Sequence, residues 1–179
     1  MRSPYAAAAT LLLAACAAPG FLLPAKDLDF ELSARIAVTY RDEAASGNLA
    51  WRHGELGDEL LLTSPLGQGL ARIVRAGGEV TLTTHDGREF RAADAESLTE
   101  QALGFRLPLA GLAVWVRARP ARAPVPGPVL VRTDAMGRPA QIEQDGWKIE
   151  YLEYSGTLPS RLRLSYPGVD MRLAISSWK

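Results

Sequence analysis

The 179 residues carry 20 Lys+Arg against 20 Asp+Glu, a formal net charge of +0, so no field of one sign is available to recruit nucleic acid. One cysteine excludes an internal disulfide, and two histidines, His53 and His85, leave almost no material for a His/Cys metal centre. The length fits a single domain that its core alone must hold.

Residues 1–16 read MRSPYAAAATLLLAAC. Arg2 is a minimal positive start, and the apolar run after it is too short to span a bilayer, which needs about 20 residues. It suits the central region of a signal peptide. Leu13-Ala14-Ala15-Cys16 resembles the bacterial lipobox. That resemblance implies cleavage after residue 15 and a lipid on Cys16. Ala17, in place of the Asp that retains enteric lipoproteins at the inner membrane, then implies export to the outer membrane. Residues 16–27, with Pro19, Gly20 and Pro24, read as anchor and short tether, and residues 28–179 as the folded domain.

From residue 30 the hydrophobic period is two. Leu32, Ala34, Ile36, Val38 and Tyr40 share one face of a strand, with Ser33, Arg35, Ala37 and Thr39 on the other. Further strands are predicted at 48–53, 60–63, 70–75, 80–84 and 88–91, the last two joined through Asp86-Gly87. The period then changes. Residues 94–104 predict a helix capped by Asp94 and ended by Gly104, and 108–118 a more apolar helix opened by Pro108. A proline-rich connector, 119–128, follows. Strands resume at 129–133 and 138–144, then around Trp147, Ile149 and Tyr151, Leu162 and Leu164, and Met171, Leu173 and Ile175. About eleven short strands with tight connections favour antiparallel neighbours. Their apolar face must be covered. A mainly β fold follows: an open, strongly curved antiparallel half-barrel under a helical lid.

Residues 63–69, Thr-Ser-Pro-Leu-Gly-Gln-Gly, form a turn with an aliphatic residue at its centre. Loops run over the surface, so Leu66, set between Pro65 and Gly67, either folds back into the core or is exposed as a hydrophobic probe for a lipid surface.

Several segments, taken in order, resemble the LolB family of outer-membrane lipoprotein receptors. They are the lipobox at Cys16, Ser33-Ala-Arg-Ile-Ala-Val-Thr-Tyr40, Asn48-Leu-Ala-Trp51, Leu60-Leu-Leu-Thr-Ser-Pro-Leu-Gly67, Asp94-Ala-Glu96, Leu107-Pro-Leu109, Trp147-Lys-Ile-Glu-Tyr151 and Trp178-Lys179. The fourth is the most telling. The resemblance implies a half-barrel with a helical lid over an apolar cavity. It also implies that the protein accepts acylated lipoprotein cargo from the periplasmic carrier LolA and places it in the inner leaflet of the outer membrane. Leu66 then takes the membrane-insertion role and is exposed. A monomer on the periplasmic side of the outer membrane, without cofactor or metal, is expected. Two features depart from the family pattern: the short stretch before the first strand and the proline content of 119–128.

Acyl chains cross water at a cost of roughly 25 cal/mol per Å², so such a carrier needs a sheltered apolar cavity. Ile36, Val38, Tyr40, Leu49, Trp51, Leu60, Leu62, Val80, Leu82, Trp147, Ile149 and Met171 on strands, with Leu112 and Trp115 on the second helix, are the candidates. Each reads equally well as plain core. Arg35 reads as a surface arginine or as a partner for lid backbone or for LolA. The serines and histidines lie in no nucleophile setting such as Gly-x-Ser-x-Gly, and no nucleotide motif occurs, which argues against an enzyme. The alternative is a non-catalytic envelope lipoprotein of the same fold that binds another hydrophobic ligand or acts as a scaffold.

Overall fold

In a computed structural model that describes residues 28–121 and 128–179, alternation of buried and open positions builds the central strands of the sheet. The lipobox, Cys16, the tether and the centre of the proline-rich connector lie outside the described residues. In β1 (Phe30–Tyr40), Phe30, Leu32 and Ala34 are buried and Ile36, Val38 and Tyr40 half-buried on one face. Arg35, Ala37 and Thr39 are exposed on the other, as a pleat of period two requires. β2 (Glu43–Gly54), β3 (Gly57–Thr63), β4 (Gly69–Ala76), β5 (Glu79–Thr84) and β6 (Glu89–Ala92) follow through tight turns. Two helices come next, α1 (Ala95–Leu103) and α2 (Leu109–Trp115). Then β7 (Leu130–Thr133), β8 (Pro139–Gln144), β9 (Trp147–Ser155), β10 (Leu158–Tyr166) and β11 (Val169–Trp178) complete one antiparallel sheet. Its order is β6-β5-β4-β3-β2-β1-β11-β10-β9-β8-β7. The first and last strands therefore meet in the middle, and β6 and β7 are left as unpaired edges. The sheet does not close.

Both helices cover the apolar face. α1 begins as predicted: Asp94 Oδ1 accepts the Ser97 N–H at 2.7 Å, and Gly104, at φ 80°, donates to Glu100 O at 3.0 Å. Only glycine enters that left-handed conformation without strain. α2 is shorter than expected. After Trp115 the chain tightens, with Ala118 at φ 56° and its N–H on Trp115 O at 2.9 Å. Arg119 precedes Pro120, and the residue before a proline disfavours the helical region.

Viewed along β1, the sheet has two ends. The turns at 41–42, 64–68, 145–146 and 167–168 share one end, the mouth. The start of β1 and the end of β11 share the other, which is closed. An aromatic cluster seals the closed end: Phe30 meets Trp51 at 5.2 Å, His53 at 5.0 Å and Trp178 at 5.6 Å between ring centroids. Beneath it lies a buried carboxylate. Asp58, 1% exposed, accepts from Trp51 Nε1 at 3.0 Å and Arg75 Nε at 2.6 Å, and lies 2.5 Å from His53 Nδ1. Burial by itself raises the carboxyl's pKa. The hydrogen bonds and charge of His53 and Arg75 outweigh it, and the pKa falls below the ordinary 3.8.

A depressed carboxylate pKa contributes stability that is complete above the unfolded-state value and is lost as pH falls through the folded one. Urea unfolding followed from pH 7 down to pH 2 should therefore show stability dropping below about pH 4. Asp58→Asn should lose about 2–3 kcal/mol at neutral pH, because it leaves Arg75 facing an amide, and should have a shallower acid limb. An unchanged acid limb would show that Asp58 does not carry the effect.

Candidate functional site

The core does not fill the half-barrel evenly. At the closed end the large side chains interlock, and Trp51 is 0% exposed. Toward the mouth the filling stops and leaves an apolar cavity of about 320 Å³. Its walls are Ile36, Val38 and Tyr40 of β1, Leu49 of β2, Leu60 and Leu62 of β3, and Met171 of β11, with Leu112 of α2 above. These are eight of the fourteen residues expected to line it. The other six do not. Trp51, Val80, Leu82 and Ile149 are core. Trp115 and Trp147 sit ring to ring at 6.2 Å away from the cavity. The strand period assigns a residue to a face but not to a place on that face: Leu82 stands opposite Ile73, and Ile149 is level with Met171 through Leu164, yet neither lines the cavity.

Seven further residues line the cavity without having been expected there: Glu43, Ala44, Ala45, Ile73, Phe105, Leu107 and Leu173. Ile73 and Leu173 share the alternation of Leu82 and Met171 and were legible by parity. Phe105 and Leu107 lie in the irregular stretch between the helices, where no period speaks. Glu43–Ala45 arrive because β2 begins five residues earlier than its hydrophobic pattern suggests.

The two helices are held very differently. Trp115 Nε1 donates to Gln144 Oε1 at 3.1 Å, and Gln144 also exchanges bonds with the backbone of Ala121 at 2.9 and 2.8 Å. Tyr151 Oη donates to Trp115 O at 2.8 Å, and burial pushes that phenol's pKa well up. This end of α2 is bolted to the sheet. The segment after α1 is held at the mouth by Tyr40. Its Oη donates to Gly104 O at 2.7 Å, and its ring lies 5.2 Å from Phe105.

Beside the mouth, two residues beyond Leu62, the β3–β4 turn stands out from the sheet. Ser64 N–H bonds to Gln68 O at 2.7 Å, Gly67 N–H bonds to Ser64 O at 2.9 Å, and Gly67 takes φ 85°. These are the marks of a three-residue hairpin loop with a bulged glycine. The same pair of bonds and the same left-handed glycine recur at 84–88 and 134–138. Leu66 is 90% exposed. Exposure alone does not distinguish it, since Leu56 and Met136 at the closed end are 74% and 76% exposed. Its place beside the cavity does. The root of the turn is fixed by Asn48 Nδ2, which donates to Ser64 O at 3.1 Å. Gly47 fixes it too, because a Cβ there would lie 2.4 Å from Thr63 O.

Arg35 requires a correction. The helices cover the apolar face, whereas Arg35 is exposed on the opposite, convex face. It cannot hydrogen-bond lid backbone. Among the described residues no group of His, Cys, Asp and Glu could hold a metal ion.

A half-open antiparallel sheet with two helices over an apolar cavity defines the fold class. In a solved LolA superfamily protein from Nitrosomonas europaea this architecture recurs at a TM-score of 0.50, with 12% identity over 86% of each chain. Residues 28–178 match the family model for the outer membrane lipoprotein LolB. An outer-membrane lipoprotein LolB of Thiobacillus denitrificans is 45% identical over 83% of this chain and 78% of its own length. One from an Azoarcus species is 37% identical over 97% and 93%. The chain belongs to the LolB family of outer-membrane lipoproteins, which is not a family of enzymes.

Tyr40→Phe removes the bond to Gly104 and keeps the ring contact. A fluorescent fatty acid should enter the cavity of this variant severalfold faster, with a stability loss of only about 1 kcal/mol. Stopped-flow entry at the wild-type rate would show that the bond does not gate the mouth.

Proposed function

We propose that the protein receives acylated lipoproteins from the periplasmic carrier LolA and inserts them into the inner leaflet of the outer membrane. A lipid on Cys16 holds it there as a monomer facing the periplasm. The observation that carries this reading is the pairing of an apolar cavity under a latched lid with an exposed leucine on a rigid turn beside its mouth. Apolar surface needs shelter in transit, and the cavity supplies walls for it. At about 320 Å³ the cavity is at the small end of ligand pockets, about 300–1,000 Å³, so several acyl chains require the lid to move. The bolted end of α2 stays, and the segment between the helices yields once Tyr40 lets go of Gly104.

The transfer runs downhill: the cavity binds acyl chains more tightly than LolA does, and the bilayer more tightly still. Leu66 opens the last step by entering the leaflet, where one buried leucine contributes roughly 2 kcal/mol. Held by Pro65 and Gly67, it loses little freedom on insertion.

Leu66→Glu should accept cargo from LolA at the normal rate and fail to deliver it to liposomes. Normal delivery by this variant would remove the insertion role. Cys16→Ala, exported by another signal, should keep cargo binding and lose fixed location, measured by fractionation and by pull-down of acylated cargo. If that form binds no cargo, the lipid does more than anchor.

A further inference from the structure

The convex face carries one feature that neither the lid nor the cavity uses. A trough runs along it over β1, β2 and β11. Two contiguous hollows of about 540 and 280 Å³ form it, and Arg35, Asn48 and Ala174 line both. Its floor is small: Ser33, Ala37 and Ala50 add almost nothing above the pleat. The smaller hollow ends against Pro65, at the root of the Leu66 turn.

The charges around the trough are matched. Arg161 pairs with Glu153 at 3.4 Å, and Arg163 and Arg172 share Asp170 at 2.5 and 3.1 Å. Across β2, Arg52 pairs with Glu31 at 2.8 Å. Arg35 is different. It is exposed, and its side chain has neither a hydrogen bond nor an ion pair among the described residues. A guanidinium with five donors, set between Ser33 and Ala37 along its strand with Ala174 and Asn48 across from it, is open to a planar or tetrahedral oxyanion.

The register fixes its height. Arg35 pairs with Asn48, and Asn48 with Thr63. Leu66 is three residues past Thr63, so its tip lies at most about 10 Å beyond the level of Arg35 at 3.3 Å per residue. The apolar face of an interfacial helix sinks about 5–10 Å into the boundary between headgroups and acyl chains. A leucine at that depth leaves a group about 10 Å behind it at the level of the phosphates.

We propose that Arg35 is a lipid-phosphate site: once Leu66 has entered the leaflet, its guanidinium binds a headgroup phosphate lying in the convex trough. Arg35 then sets how deep the turn goes and holds the mouth at the surface during release. The proposal rests on the insertion role of Leu66 and adds the headgroup as a second point of contact.

The test uses the full-length lipidated chain reconstituted into vesicles, LolA loaded with a diacylated lipoprotein, and two lipid compositions. One is phosphatidylethanolamine with phosphatidylglycerol. The other is a phosphate-free galactolipid. On phospholipid, Arg35→Ala should deliver cargo about tenfold more slowly than wild type, in line with loss of one charged hydrogen-bonded contact, and Arg35→Lys should recover most of the rate. On galactolipid, wild type and Arg35→Ala should deliver equally. A purely structural role for Arg35 would lower both rates. Equal delivery by Arg35→Ala and wild type on phospholipid overturns the proposal, and if Leu66→Glu still fails in the same vesicles the insertion reading survives it. A defect confined to acceptance from LolA also overturns it, and would make the trough a protein-docking surface. Normal delivery by Leu66→Glu overturns the underlying reading.

Discussion

Everything in this molecule hangs on the position of β1. The chain's first strand pairs with β2 on one side and with the last strand, β11, on the other. That one strand joins two half-sheets, β2–β6 and β7–β11, which are otherwise bridged through the lid. Its residues also divide the labour of the two faces. Phe30 and Leu32 close one end, Ile36 and Val38 wall the cavity, Tyr40 latches the lid, and Arg35 faces outward between them. The outward face of β1 is populated by small residues, and the trough on the convex side follows from that choice.

A half-barrel that keeps an apolar cavity must not collapse on itself. Here the conflict is resolved by grading the filling along the strands. Aromatics and a fully bonded buried carboxylate fill the closed end. Aliphatic side chains of moderate size line the cavity together with Tyr40 and Phe105, and Tyr40 and Thr99 hold the covering segment above them. The two helices share this gradient. α2 is pinned to the sheet through Trp115, Gln144 and Tyr151, and the stretch after α1 is tied to the sheet by the Tyr40 hydroxyl and to α1 by Leu107 N–H, which donates to Thr99 Oγ1 at 2.8 Å.

Much of this was legible in the sequence. The strands fell where apolar residues alternate, the first helix where Asp94 and Gly104 bracket it, and the half-barrel where short turns met a long one-sided face. The Leu66 turn was legible as an anomaly with two readings, since Pro65 and Gly67 dictate a tight turn whether or not the leucine returns to the core. What stayed hidden depended on distance along the sheet. Trp51 and Leu49 are two residues apart on one face, and only packing shows that the first is core and the second cavity wall. Phe105 and Leu107 carried no period at all. The outward direction of Arg35 was legible from parity with Ser33 and Ala37, and a lid contact contradicted that parity.

The turn that carries Leu66 is built to a pattern shared with residues 84–88 and 134–138. The frame in each case is two backbone bonds and one left-handed glycine, none of which depends on what sits at the tip. Proline and leucine occupy the tip at one position, histidine and aspartate at another, alanine and methionine at the third. The scaffold treats the tip as interchangeable cargo of its own. A sheet of this kind can acquire or discard a membrane-seeking side chain by two codon changes at any such corner, without renegotiating its fold. Of the three corners, 64–68 is the one whose strand, β3, lines the cavity, through Leu60 and Leu62.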